Sequence, residues 1–167
     1  NSRRKLLTVA SGARLEALQN NALGLRGVGN ETVIEAGGQF LISGDRNFAT
    51  ELFIIAGDGV GGTGAIVNVS GTGANNAMHG VTLSADASIG GTSRWDIRPG
   101  GGQLFGIDLA GHKLTKLGTN QITIQGVIVS SGDIDINGGV LAIEDGASIE
   151  GAGTITVNTG GSLQLWG

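Results

Sequence analysis

The 167-residue chain has no cysteine, no tyrosine, one proline, four phenylalanines and two tryptophans. Without cysteine it has neither disulfides nor thiolate metal sites. With Pro99 as its sole proline it is no proline-rich spacer. So few large rings would leave an ordinary globule short of core volume, whereas a thin core layered from Val, Ile, Leu and Ala needs little aromatic bulk. No apolar run approaches the ~18 residues that span a bilayer. The formal net charge is -4 and the sequence pI about 5.0, which argues against nucleic acid as a general partner.

What the chain has in excess is glycine: 33 residues, roughly a fifth of the sequence against about 7% in average proteins. The glycines follow no Gly-X-Y period, so they do not specify collagen. They punctuate short apolar runs, and they are densest in pattern from His112 to Gly167. There Asp133-Ile-Asp-Ile136 and Thr154-Ile-Thr-Val157 alternate strictly, the period of a half-buried strand. Ile122, Leu141 and Leu163 head equivalent runs 19 and 22 residues apart, and the two alternating runs start 21 apart. Three short strands in each return of about twenty residues describe a chain coiling on itself. The expected fold is an all-β solenoid, 1–167 one continuous unit of about seven coils. At ~4.8 Å per coil it forms a rod about 35 Å long.

A strand–turn–strand motif recurs at Thr8–Leu15, Val33–Phe40, Leu83–Ile89, Ile143–Ile149 and Val157–Leu163. Each copy is expected to place Gly, Asn or Asp in the turn. Two stretches lose the pattern, Gly44–Ala49 and Gly71–Gly80, and are expected to be the longer loops. Residues 1–25 are read as an N-terminal capping segment, with Leu15, Leu18, Ala22 and Leu25 on one face of a short amphipathic helix covering exposed strand edges. Ser2-Arg3-Arg4-Lys5-Leu6-Leu7 has the letters of a twin-arginine signal, but Ser11, Gly12 and Arg14 interrupt the apolar stretch such a signal needs. It reads as a polar edge.

Several residues are candidates for chemistry. Gly57-Asp-Gly-Val-Gly-Gly62 matches G-x-G-x-x-G after an apolar run, but the fingerprint must open a helix, and Thr63–Val69 reads as another strand. Asp133 and Asp135 share one strand face. Two outward carboxylates can bind calcium or act on polysaccharide, or simply keep a strand soluble. His79 and His112 lack ligand spacing and read as loop or turn residues. Asn30-Glu-Thr32 and Asn68-Val-Ser70 are glycosylation sequons. Trp95 and Trp166 read as core or cap residues before sugar-stacking ones. No catalytic, cofactor-binding or metal site is assigned.

Gly64–Gly71, Val81–Gly90 and Lys113–Thr119 leading into Ile122–Ile124 resemble the autotransporter-associated β-strand repeat of bacterial surface proteins. The resemblance covers residues 62–167 and is best over 112–167. Leu114-Thr-Lys-Leu-Gly118 matches the opening of the repeat; Ile122, Ile124 and Gly126 follow in step; Ile134, Ile136, Gly139 and Leu141 match its close. Asn120 replaces the usual second glycine, and the aromatic loop after Gly126 is absent. The resemblance implies a right-handed parallel β-helix at the bacterial cell surface or exterior, serving as stalk or passenger without catalysis or cofactor. Its implied partners are neighbouring repeats, and surface glycans if it is an adhesin. Two alternatives stand beside that expectation. One is a filament subunit that stacks end to end or by edge strands; the other is a polysaccharide-binding or polysaccharide-active β-helix. Neither nucleic acid nor membrane insertion by this segment is expected.

Overall fold

In a computed structural model, which describes residues 6–24, 27–48, 51–100 and 106–167, the chain winds through seven parallel coils. The first holds β1 (Leu7–Val9) and β2 (Arg14–Ala17); the second, β3 (Thr32–Ile34) and β4 (Gln39–Ile42). The third adds a third side: β5 (Leu52–Gly57), β6 (Ile66–Asn68) and β7 (Ala74–Met78). The fourth is β8 (Gly80–Gly91) and β9 (Trp95–Ile97), and the fifth β10 (Ile107–Asp108), β11 (Lys113–Lys116) and β12 (Gln121–Gln125). The sixth comprises β13 (Ile128–Val129), β14 (Asp133–Ile136) and β15 (Gly139–Glu144). The seventh comprises β16 (Ser148–Ile149), β17 (Ile155–Val157) and β18 (Gly161–Leu165). The fold is thus the expected all-β solenoid of about 7 turns, in keeping with a right-handed parallel β-helix.

Three faces result. β1-β3-β5-β8-β10-β13-β16 form the first, β2-β4-β6-β8-β11-β14-β17 the second, and β7-β9-β12-β15-β18 the third. The spacings read from the sequence are the registers observed: Ile122 pairs with Leu141, Leu141 with Leu163, and Ile134 with Ile155. Alternation turns every second side chain inward, so the core is a set of vertical columns. Trp95, Ile122, Leu141 and Leu163 make one column, and Met78, Ile97, Ile124, Ile143 and Leu165 its neighbour. On the second face Leu15, Phe40, Ile66, Ile89, Lys116, Ile136 and Val157 stack in register.

The turn motif forms a corner in four of its five copies. Leu83–Ile89 makes no turn and stays within β8, which fuses the first two faces and bulges between Leu83 and Ala87, the partners of Ile55 and Gly57. The reason is one residue. Asp145-Gly146 supplies two consecutive positive φ values, 44° and 77°, where Asp86-Ala87 supplies none, and an alanine side chain resists that region.

Three expectations are corrected. The capping helix is absent: Arg14–Ala17 is strand because Leu15 and Ala17 continue the ladder onto Phe40 and Ile42. Turns follow at Gln19–Ala22 and Asn21–Gly24, while Leu25 lies outside the described residues, as do Asn1–Lys5. Gly71–Gly80 is mostly strand, since Ala74–Met78 is β7. The interval from Gly44 is irregular as expected, up to the undescribed Ala49 and Thr50. Finally, aromatic bulk matters where the coil is incomplete. The first two coils lack a third-face strand among the described residues, and Phe48 turns inward there to meet Phe40 and Phe53. Their ring centroids lie 5.3 and 6.2 Å away, and Phe40 and Phe53 are 4.9 Å apart.

Candidate functional site

The strongest break with the expected pattern lies on the outer surface of the second face. Residues that alternate with an inward column should be polar where they meet water. Here the outward column reads Leu41, Val67, Gly90 and Leu117 across coils two to five, through the pairs Leu41–Val67 and Val67–Gly90 and the Leu117 amide on the Ile89 carbonyl. The sequence signal was present. Phe40-Leu41-Ile42 and Ile66-Val67 are unbroken apolar runs, not alternating ones, and such runs are apolar on both sides.

Beside that column the segment Asp58–Gly64 arches over the sheet. Gln39 is buried beneath it and donates to Thr63 Oγ1 at 2.8 Å and to the Gly64 carbonyl at 2.9 Å. Arg14 Nε in turn donates to Gln39 Oε1 at 3.1 Å. The arch and the apolar column bound a groove of about 600 Å³, with Arg14, Gln39 and Thr63 on one side and Val69, Thr92 and Gly118 on the other. That volume is within the range of small-molecule sites. Val69 on its rim is 56% exposed. The six-residue glycine fingerprint thus reaches the groove only through its last residue, Gly62. It carries a short 3-10 turn, Val60–Gly62, and then β6, with no helix to hold a pyrophosphate.

Inside the corner below the groove runs a polar spine. Asn68 is fully buried; its amide donates to the Thr72 and Arg94 carbonyls at 2.8 and 2.9 Å, and its oxygen accepts from the Ser70 amide and hydroxyl. Asn120 donates to the Gly90 and Ser93 carbonyls at 3.3 and 3.0 Å. Lys116 stands in the inward column between Ile89 and Ile136, wholly buried. Its Nζ donates to the Leu117, Gly118 and Gly138 carbonyls at 2.7, 3.4 and 3.0 Å. Burial brings its pKa down to about 8. Asn158 donates to Asn137 at 2.7 Å in the last two coils. Asn68, Asn120 and Lys116 answer backbone carbonyls turned inward at the corner, whereas the Asn158–Asn137 pair is a side-chain contact on the exposed surface. Sequence reasoning passed over Lys116, although its parity with Leu114 already placed it inside.

The singled-out residues do not converge. Asp133 and Asp135 point outward, as their alternation with buried Ile134 and Ile136 requires. Asp133 accepts from the Thr154 amide at 2.9 Å, and Asp135 pairs with Lys113 at 3.3 Å. One basic residue from the preceding coil therefore joins them, on an exposed sheet surface. Among the described residues no group of three or more His, Asp or Glu side chains could hold a metal ion. His79 lies in the bend between β7 and β8, as its reading as a loop or turn residue expects, and is buried there, with Nδ1 2.7 Å from the Arg98 carbonyl and Nε2 3.0 Å from Asn47 Oδ1. Burial holds its pKa below the ordinary value. His112 follows a turn, 3.8 Å from Asp86.

Trp95 is core, its indole donating to the Gly90 carbonyl at 2.9 Å. Trp166 plugs nothing: it is 62% exposed beyond β18. The sequon at Asn68 is closed, because its amide is spent inside the fold. Asp96, unremarked in the sequence, is fully buried and clamped by Arg94 at 2.8 and 2.9 Å and by Arg98 at 2.6 and 3.0 Å. This ion triad fastens the outer side of β9.

Comparisons with protein-family models, with curated proteins and with solved structures find no match to this chain.

Proposed function

We propose that the chain is a non-catalytic rod, an extracellular structural or adhesive β-helix serving as stalk or passenger of a bacterial surface protein. The observation that carries this reading is the unbroken register of the second-face interior column from the first coil to the seventh. Such a stack resists bending and local opening, because each coil is hydrogen-bonded on several faces to the next. The repeat resemblance at Leu114–Gly118 and Ile122–Leu141 supports placing it at a cell surface.

The filament reading draws on a specific feature, the uncovered last coil, where Ile149, Val157, Leu165 and Trp166 are 40–70% exposed. Against it, the two ends do not match. A last coil with three strands would meet a first coil with two, since no third-face strand is found there among the described residues. The polysaccharide-active reading wants Asp133 and Asp135 in a groove with basic residues, and it has the flat face and Lys113 described above.

Sedimentation velocity and electron microscopy across a concentration series test the proposal. The rod reading predicts short particles of constant mass, about 35 Å long from ~4.8 Å per coil. Fibres that lengthen with concentration would replace it with the filament reading.

A further inference from the structure

The groove on the second face is chemically lopsided. Its floor, Leu41, Val67 and Leu117, is aliphatic over three coil steps, about 14 Å at ~4.8 Å each. Gly90, which carries no side chain, leaves the floor low at its centre. At one end stands Arg14, exposed, donating to a neutral amide oxygen and forming no ion pair among the described residues. Glu16, two residues on, does not line the groove but is paired in register with Leu41, so the aliphatic floor ends against a carboxylate beside Arg14 and the head group must sit on the guanidinium side, over Gln39. The strip is partly closed: Leu41 and Leu117 are half-buried and Val67 between them is 2% exposed, so the apolar surface on offer lies at the two leucines and at Val69 on the rim.

We infer that this groove is a binding site for a single-chain amphiphile: an aliphatic body lying along the rod axis on Leu41, Val67 and Leu117, with a monoanionic head such as a carboxylate at Arg14. Area and charge divide the task. Burying methylenes against the floor supplies affinity, and the guanidinium selects the head group and fixes orientation. Thr63 and Gln39 are already tied to each other and hold the arch in place, so the wall is formed before the ligand arrives. The inference goes beyond the rod reading and does not depend on it, since the groove would bind whether or not the rod is a stalk.

The test is a methyl-NMR titration of the whole chain with decanoate below its micelle concentration, with the neutral decanamide as comparison. The site predicts saturable 1:1 binding of decanoate and methyl shifts centred on Leu41, Val67 and Leu117. It also predicts at least tenfold weaker binding of decanamide. Arg14→Gln should erase the difference between the two ligands. Val69→Asp, at an exposed rim position that leaves the fold intact, should weaken decanoate at least tenfold. The proposal is overturned if decanoate does not saturate, if shifts lie elsewhere, or if both ligands bind alike. Indifference of decanoate to Arg14→Gln overturns it as well. So does association with anionic phospholipid vesicles but not with monomeric decanoate, since the groove would then not be the site.

Discussion

Lys116 carries an amine into a column otherwise made of Leu, Phe, Ile and Val, and the two consequences oppose each other. Desolvation disfavours its charge, while three carbonyls accept its protons. The pH dependence follows from linkage. The unfolded amine titrates near 10.5 and the folded one near 8, so between those values the unfolded chain binds more protons and stability rises with pH. The Lys116 contribution is a penalty present in full below pH 8 and relieved by about pH 10.5, at most about 3 kcal/mol at 1.36 kcal/mol per unit. Chemical denaturation at pH 7.5 and pH 10 should show that rise, and Lys116→Met should abolish it. A slope unchanged in the variant would show that the amine is not the source. Steric limits act on the same corner. A Cβ on Gly118 would sit 2.3 Å from the Gly91 carbonyl, whereas one on Gly71 meets nothing within 4 Å, both at positive φ. Gly71→Ala should therefore cost about 1 kcal/mol and Gly118→Ala more than about 3 kcal/mol, read from urea midpoints.

Among the elements, the weak place is the third face of the first two coils, where Phe48 from an irregular segment does the work of a strand. Its ring is buried against Phe40 and Phe53, and its amide donates to the Ala77 carbonyl at 3.2 Å on the edge of β7. Phe48→Ala should lower stability by about 3–5 kcal/mol and speed amide exchange in β7 before β15. Equal loss of protection in both would mean the plug has no local role. The strands that alternate cleanly, such as β14 and β17, were legible from sequence, register included, because one apolar side permits one pairing. The continuous run of β8 was not, since its copy of the turn motif differs from a turning copy chiefly by a missing glycine. The groove was hidden for another reason. Its apolar column is contributed by residues 41, 67, 90 and 117 of four separate coils, and no single stretch of sequence displays it. The mistaken helix at Leu15–Leu25 shows the same override: helical spacing yielded to a waiting strand edge at β4.

At the scale of the whole rod, stability is shared between neighbouring coils, so the ends should open first. The last coil, with one neighbour and half its apolar side chains exposed, should exchange its amides faster than β9 and β12 at the centre. Uniform protection along the axis would contradict nearest-neighbour stacking. The account rests above all on register, because the columns, the polar spine and the groove all fail if one coil slips by a residue. Methyl and indole NOE spectroscopy on the intact chain tests it directly. The account predicts contacts linking Trp95 to Ile122, Ile122 to Leu141 and Leu141 to Leu163, and one from Leu41 to Val67 on the outer face. Contacts from Leu141 to Gln164 or Ser162 in place of Leu163 would mean a slipped coil, and the account would fall with it.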